Sequence, residues 1–218
     1  MTTLLIATRN AHKVGEIQAI LGLGFQCLTL KAFPDAPPVV EDADTFAGNA
    51  TKKAVELAKW LAEKSKLKSQ NVKLDFVLAD DSGLEVDALN GAPGVHSARF
   101  AALDKSENSP DADNNAKLLR LLKAVPLENR TGRFRCVIAL VEINPQSAIR
   151  NPQLFDGACE GRIQSAASGS GGFGYDPLFV PEGFTESFAE LGEDVKNHLS
   201  HRARALAKLK NYFSRLPS

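Results

Sequence analysis

The sequence has few cysteines, no net charge and no long apolar run, and each shortage excludes a class of protein. Cys27, Cys136 and Cys159 are scattered over 218 residues, odd in number and in no C-x-x-C pair. Neither a disulfide framework nor a zinc site is indicated, and a reducing compartment fits. The apolar stretch Leu4-Leu5-Ile6-Ala7 ends before Arg9, too short for a signal-peptide core and far too short to cross a membrane. A cytoplasmic location without membrane contact is therefore expected. Lys and Arg total 26 against 26 for Asp and Glu, which removes the overall attraction to phosphate polymers that nucleic-acid binders show. No nucleic-acid partner is expected, and an anionic ligand must be held by local groups.

Apolar side chains make up 44% of the chain, enough for one large core or two tightly joined lobes. Thr3–Thr8 reads as a buried strand. From Lys13 to Leu21 the apolar residues follow helical spacing until Gly22 stops them. Phe25–Leu30 is a second strand, followed by a loop with Pro34, Pro37 and Pro38 and a helix over Thr45–Lys64. Its inner face is Phe46, Ala50, Ala54, Leu57, Ala58 and Leu61. Lys64–Lys73 reads as a polar surface connection. Phe76–Ala79 is a short apolar run that ends abruptly at Asp80-Asp81-Ser82-Gly83, and Leu84–Leu89 continues as a strand. Asp111–Ala124 is helical, Arg133–Ile143 is the longest strand candidate, and Asn144–Pro152 turns it into an antiparallel hairpin with Phe155–Ile163. Asp194–Phe213, at the end of the chain, is helical. Strands and helices interleave but the hairpin breaks a strict parallel order, so the expectation is an α/β fold with a mixed sheet.

Several residue groups carry chemistry. Thr8-Arg9-Asn10-Ala11-His12-Lys13 lies between a strand and a helix start, where free N–H groups and the helix dipole favour an anion. Asn10 equally suits a plain helix cap. Asp80 and Asp81 are adjacent carboxylates at a buried strand end, which cost desolvation and repel unless a cation offsets them. Magnesium takes such ligands together with phosphate oxygens, while Asp-Ser-Gly is also good turn chemistry. Glu41 and Asp42, with Asp44 nearby, either complement the following helix dipole or supply a further metal ligand. Gly169-Ser-Gly171-Gly172-Phe173-Gly174 spells G-x-G-x-x-G, but Pro177 follows where a dinucleotide site needs a helix, so the segment reads as a loop. His198 and His201 stand three apart, with Arg202 beside them. They read as solvated surface residues, as a metal-binding pair, or as donors at the start of a helix turn capped by Ser200.

Taken together, Thr8–Lys13, Thr45-Phe46 to Asn49-Ala50 with Lys53, Ala79–Leu84, Gly91-Ala92-Pro93-Gly94 with Ser97-Ala98-Arg99, Gly171–Pro177 and Ser200-His201-Arg202 occur in one order. That series resembles the inosine triphosphate pyrophosphatase family, over nearly the whole chain. The resemblance implies a single domain over residues 1–218, built on an elongated mixed sheet with flanking helices and two lobes around a central cleft, working as a homodimer. It implies magnesium-dependent hydrolysis of non-standard purine nucleoside triphosphates (ITP, dITP, XTP) to the monophosphate and pyrophosphate. It assigns Thr8, Asn10, Lys13 and Lys53 to the triphosphate, and Asp81 to the metal and to activation of water. Asp80 and Glu41 stand beside the metal, and Ser82 contacts substrate. Phe173, Gly174, Tyr175 and Asp176 would line the base pocket, with Lys196, His201 and Arg202 reading the 6-oxo group. Adenine presents a donor there, and a mismatch of this kind can be rejected by about 10⁴-fold. Ala43 departs from a commonly seen glycine after the acidic pair, which leaves open whether Glu41 or Asp42 faces the metal. The alternatives are a non-hydrolytic nucleotide-binding regulatory protein and a pyrophosphatase for modified pyrimidine triphosphates.

Overall fold

The computed structural model describes residues 1–67, 74–102, 107–143 and 151–216. Six strands form one sheet in the order β2-β1-β3-β4-β5-β6: β1 Thr2–Ile6, β2 Phe25–Thr29, β3 Phe76–Val86, β4 Thr131–Glu142, β5 Gln153–Ile163 and β6 Phe179–Pro181. β1 pairs in parallel with both β2 and β3, whereas β5 and β6 are antiparallel, so the sheet is mixed as expected. The helices are α1 Ala11–Leu21, α2 Phe46–Leu67, α3 Asp111–Leu121, α4 Phe188–Leu199 and α5 His201–Ser214. The Asn144–Pro152 turn lies outside the described residues except for its last two positions, as does the Lys68–Lys73 part of the polar connection.

The chain divides into two compact units. The first comprises Met1–Asp81, Val137–Asp156 and Ala205–Ser218. Its strand residues Leu4, Leu5, Ile6, Val77 and Leu78 are wholly buried, and α2 buries Phe46, Ala50, Ala54, Leu57, Ala58 and Leu61, the face predicted from their spacing. Phe213 at the end of α5 meets the edges of Phe25 and Phe76 with ring centroids 5.2 and 5.1 Å away. The second unit comprises Ser82–Cys136 and Gly157–Arg204. Its core joins Leu84, Val86, Phe100, Leu118, Leu122, Phe134, Ile163, Leu178, Phe179 and Phe188.

Three expectations need correction. The strand does not stop at Asp80: β3 runs through Asp80-Asp81-Ser82-Gly83 to Val86, because the apolar residues Leu84 and Val86 are fully buried and continue it. The C-terminal helical segment starts earlier than Asp194, at Phe188, behind a capping box of Ser187 and Glu190, and consists of two helices. Ser200 separates them in an extended conformation and its hydroxyl accepts from Ala203 N, the cap its position suggested. The polar connection begins later than Lys64, since α2 continues to Leu67.

Candidate functional site

In the first unit, α1 starts behind β1 because Asn10 caps it: its Oδ1 accepts from His12 N and Lys13 N at 3.0 and 3.1 Å. Thr8 Oγ1 in turn accepts from Asn10 N at 3.2 Å. The plain capping role is therefore real, and three N–H groups expected to await an anion are engaged by Thr8 and Asn10. Lys13, in the first turn, reaches β3 and meets Asp80 Oδ1 at 2.7 Å.

α2 brings Lys53 to the same strand. Its ammonium donates to Glu41 Oε2 at 2.8 Å, to Asp81 Oδ1 at 3.2 Å and to the carbonyl of Asp80 at 2.7 Å. Asp80 and Asp81 thus take different lysines. The carboxyl that joins Asp81 is instead Glu41, and the two share the Lys53 ammonium. Burial pushes Asp81 up to about 6, helped by Glu41 and opposed by Lys53 and Lys13. Burial works the same way on Glu41, but the charge and hydrogen bond of Lys53 outweigh it and leave Glu41 below its ordinary value. Burial would lower Lys53, yet Asp81, Glu41 and Asp80 hold it above the ordinary lysine value. Asp42 is turned elsewhere, to Lys52 at the surface at 2.6 Å. Of the acidic pair, Glu41 is the member that joins the cluster.

The donor set fits magnesium. Asp81 Oδ2 is buried without a hydrogen-bond donor, and its carboxylate shares one ammonium, that of Lys53, with Glu41, which leaves negative charge for a further cation to offset. Among the described residues no group of three or more His, Cys, Asp or Glu could hold a metal. A carboxylate pair completed by water and phosphate oxygens is the habit of magnesium rather than of zinc or calcium.

The second unit gathers the other predicted residues. Ser82, next in β3 after Asp81, accepts from Arg202 Nη2 at 2.9 Å. Arg202 and His201 open α5 and are 1% and 4% exposed, so their reading as solvated surface residues is overturned. His198 is exposed on α4, bonded to Asp194 O, and the break at Ser200 puts His201 on a different helix, which removes the metal-binding pair. The His201 ring stacks on Phe134, centroids 4.8 Å apart and planes 14° from parallel. Lys196 is 3% exposed. Its ammonium sits 2.5 Å from Asp176 Oδ2 and 4.5 Å from the centre of the Phe173 ring. The Phe173 N–H donates to the same Asp176 oxygen at 2.8 Å. Tyr175 donates its hydroxyl to Ser97 O at 2.9 Å, and burial pushes that phenol up. Residues 169–175 form a loop, as the proline after them required.

Comparison with known proteins is decisive about kinship. The model of the Ham1 family matches residues 4–212. A dITP/XTP pyrophosphatase of Desulforamulus reducens is 47% identical over 214 residues, spanning 98% of this chain and 96% of that protein. The chain belongs to the Ham1 family. The same level of identity, 47%, holds against the dITP/XTP pyrophosphatase of Geobacter sulfurreducens, over 97% of this chain and 96% of that one. Among Ham1 structures, that of Coxiella burnetii matches with a TM-score of 0.78 and 35% identity, covering 99% of this chain and 100% of the other. A nucleoside-triphosphatase / dITP/XTP pyrophosphatase from Mycobacterium abscessus matches with a TM-score of 0.70 and 37% identity, over 95% and 98%. The resemblance drawn from the motifs is thereby borne out, as is the α/β fold with its mixed sheet.

Within this Ham1 chain, sequence reasoning gave no role to two residues that hold the named ones. Asn49 is 1% exposed, and its Oδ1 takes the Ala43 N–H at 2.9 Å, fixing the loop that carries Glu41. Phe134, read only as a strand residue, supports His201. The polar residue on the inner side of α2 was a usable signal for Asn49. Phe134 had none, because an aromatic in a strand is ordinary core.

Proposed function

We propose that this chain hydrolyses dITP, ITP and XTP to the monophosphate and pyrophosphate, using magnesium. The observation that carries the reading is the buried Asp81 and the half-exposed Glu41 sharing the Lys53 ammonium, with Lys13 on the neighbouring Asp80, in a family whose similar members bear the name dITP/XTP pyrophosphatase. Bound magnesium would be held by Asp81 and Glu41 and supply charge to polarise a phosphate and acidify water. Asp81, ionised beside that metal, takes the proton of the attacking water as a positioned carboxylate base. Lys13 and Lys53 offset charge on the phosphates as pyrophosphate leaves, and the Thr8 hydroxyl and the side-chain nitrogen of Asn10 donate hydrogen bonds to them. Asp80 holds Lys13 in place.

The base falls to the second set of residues. Phe173 offers a ring to stack on the purine, Gly174, Tyr175 and Asp176 shape the pocket, and Lys196, His201, Arg202 and Ser82 supply polar contacts. Buried donors facing a 6-oxo group accept hypoxanthine and xanthine and leave groups unpaired against adenine. The proposal includes a homodimer acting in the cytoplasm. No helix among the described residues is long and apolar enough to cross a membrane.

The test is release of pyrophosphate against orthophosphate from dITP, XTP, GTP, dUTP and ATP, with and without magnesium. Metal-dependent pyrophosphate from dITP and XTP alone is expected. Orthophosphate, or turnover of ATP at a similar rate, would refute the reading.

A further inference from the structure

The Phe173–Asp176 turn is held from outside as well as from within. Gly174 has φ of 63°, a left-handed conformation that costs a residue with a Cβ, although space around it is open. Both polar atoms of this glycine are taken by α3. Its N–H donates to Asp111 Oδ2 at 2.7 Å, and its carbonyl accepts from Asn115 Nδ2 at 3.0 Å. Positions four apart on a helix lie on one face, so a single turn of α3 grips one glycine at both ends. An acidic residue in a first turn ordinarily serves the helix dipole. Here its carboxylate makes a short charge-assisted bond to a loop 63 residues away in sequence.

The clamp has a rigid mount. Asn114, 2% exposed, donates to Ala98 O and accepts from Ala101 N. On the other side of the glycine, Tyr175 is tied to Ser97 O and Asp176 to Lys196. The turn that carries the Phe173 ring is thus bounded by α3, by the 97–101 segment and by Lys196.

We propose that Asp111 and Asn115 are positioning residues for the purine: by clamping Gly174 they hold the Phe173 ring where the base stacks, and so set affinity for the base without touching it. This rests on the assignment of Phe173 to the base under the proposed function. Neither residue meets a phosphate or metal ligand, so their loss acts on the base end of the substrate alone.

Three measurements on the full chain test this with Asp111→Ala, Asn115→Ala and Asp111→Asn. In the free protein, amide exchange over residues 170–178 is expected to quicken in both alanine variants and to stay near wild type in Asp111→Asn, which keeps an acceptor oxygen. For dITP and XTP, KM is expected to rise roughly tenfold in the alanine variants with kcat changed less than about twofold, the pattern of a lost binding contact. Inhibition by inorganic tripolyphosphate, which has no base, is expected to be unchanged. Unaltered exchange, unaltered KM, or equal weakening of nucleotide and tripolyphosphate would overturn the clamp. Asp111 is exposed at the first turn, so its variants test the idea even if Asn115→Ala folds poorly. Should wild type not hydrolyse dITP or XTP at all, the proposed function fails, while the exchange arm still decides whether the clamp exists.

Discussion

In the proposed reaction, Asp81 is the residue on which the chemistry turns. Replacing it by asparagine keeps volume and removes the base and one metal ligand, so turnover of dITP is expected to fall about 10²- to 10⁴-fold with the circular dichroism spectrum and melting temperature near wild type. A loss of less than about fivefold on this scale would exclude Asp81 as the base. Its titration makes a second prediction. The folded value of about 6 lies above the ordinary 3.8, so between those values the folded state binds more protons than the unfolded one. The stabilisation from this group is therefore present at low pH and is lost as pH rises through that window. Magnesium needs the ionised form, so the opposite holds for the metal. Its affinity is expected to drop as pH falls below about 6, with uptake of metal releasing a proton. Calorimetry in buffers of different ionisation enthalpy measures that proton, and affinity flat from pH 5 to 8 would contradict the assignment.

Elements place these residues through a few close packings. The loop bearing Glu41 lies against the first turn of α2, where Thr45 Oγ1 accepts from Gly48 N at 3.0 Å and Asn49 takes the Ala43 N–H. A Cβ on Gly48 would stand 2.7 Å from that of Ala43. Ala43 is thus accommodated by a glycine in the first turn of α2. Gly48→Val is expected to destabilise the fold by about 1–3 kcal/mol through overpacking and to weaken magnesium binding by displacing Glu41. Ala43→Gly should restore part of both in the double variant. Thermal melts and metal titration of the four combinations read the coupling, and strictly additive effects would show that the two residues do not share that space. Boundaries at this scale were only partly legible. α2 and its buried face followed from spacing, because an amphipathic helix writes its own period. The continuation of β3 past Asp80 did not, because two charged residues in a row look like a strand end until burial and ion pairs are known.

At the scale of the whole molecule, the folded chain is expected to be a better magnesium ligand than its unfolded form, since Glu41 and Asp81 meet only after α2 and β3 have packed. A metal at a hundred times its dissociation constant stabilises by about 2.7 kcal/mol. The melting temperature is expected to rise with magnesium and return on adding a chelator, whereas Asp81→Asn should show no such rise. An equal rise in both would place the metal elsewhere.

The order of motifs, the absence of a disulfide framework or long apolar run, and the face of α2 were determined by the sequence itself, because composition and periodicity are local properties. It named Asp81, Lys13, Lys53, Asp176, Lys196 and Arg202 without knowing their partners. The tertiary structure decided that Glu41 and not Asp42 meets Asp81, that Asp80 belongs to Lys13, and that His201 is buried against Phe134. Those outcomes depend on which side chains from distant segments share a small, poorly solvated space. Desolvation and charge pairing there are properties of the packed chain, not of any stretch of it.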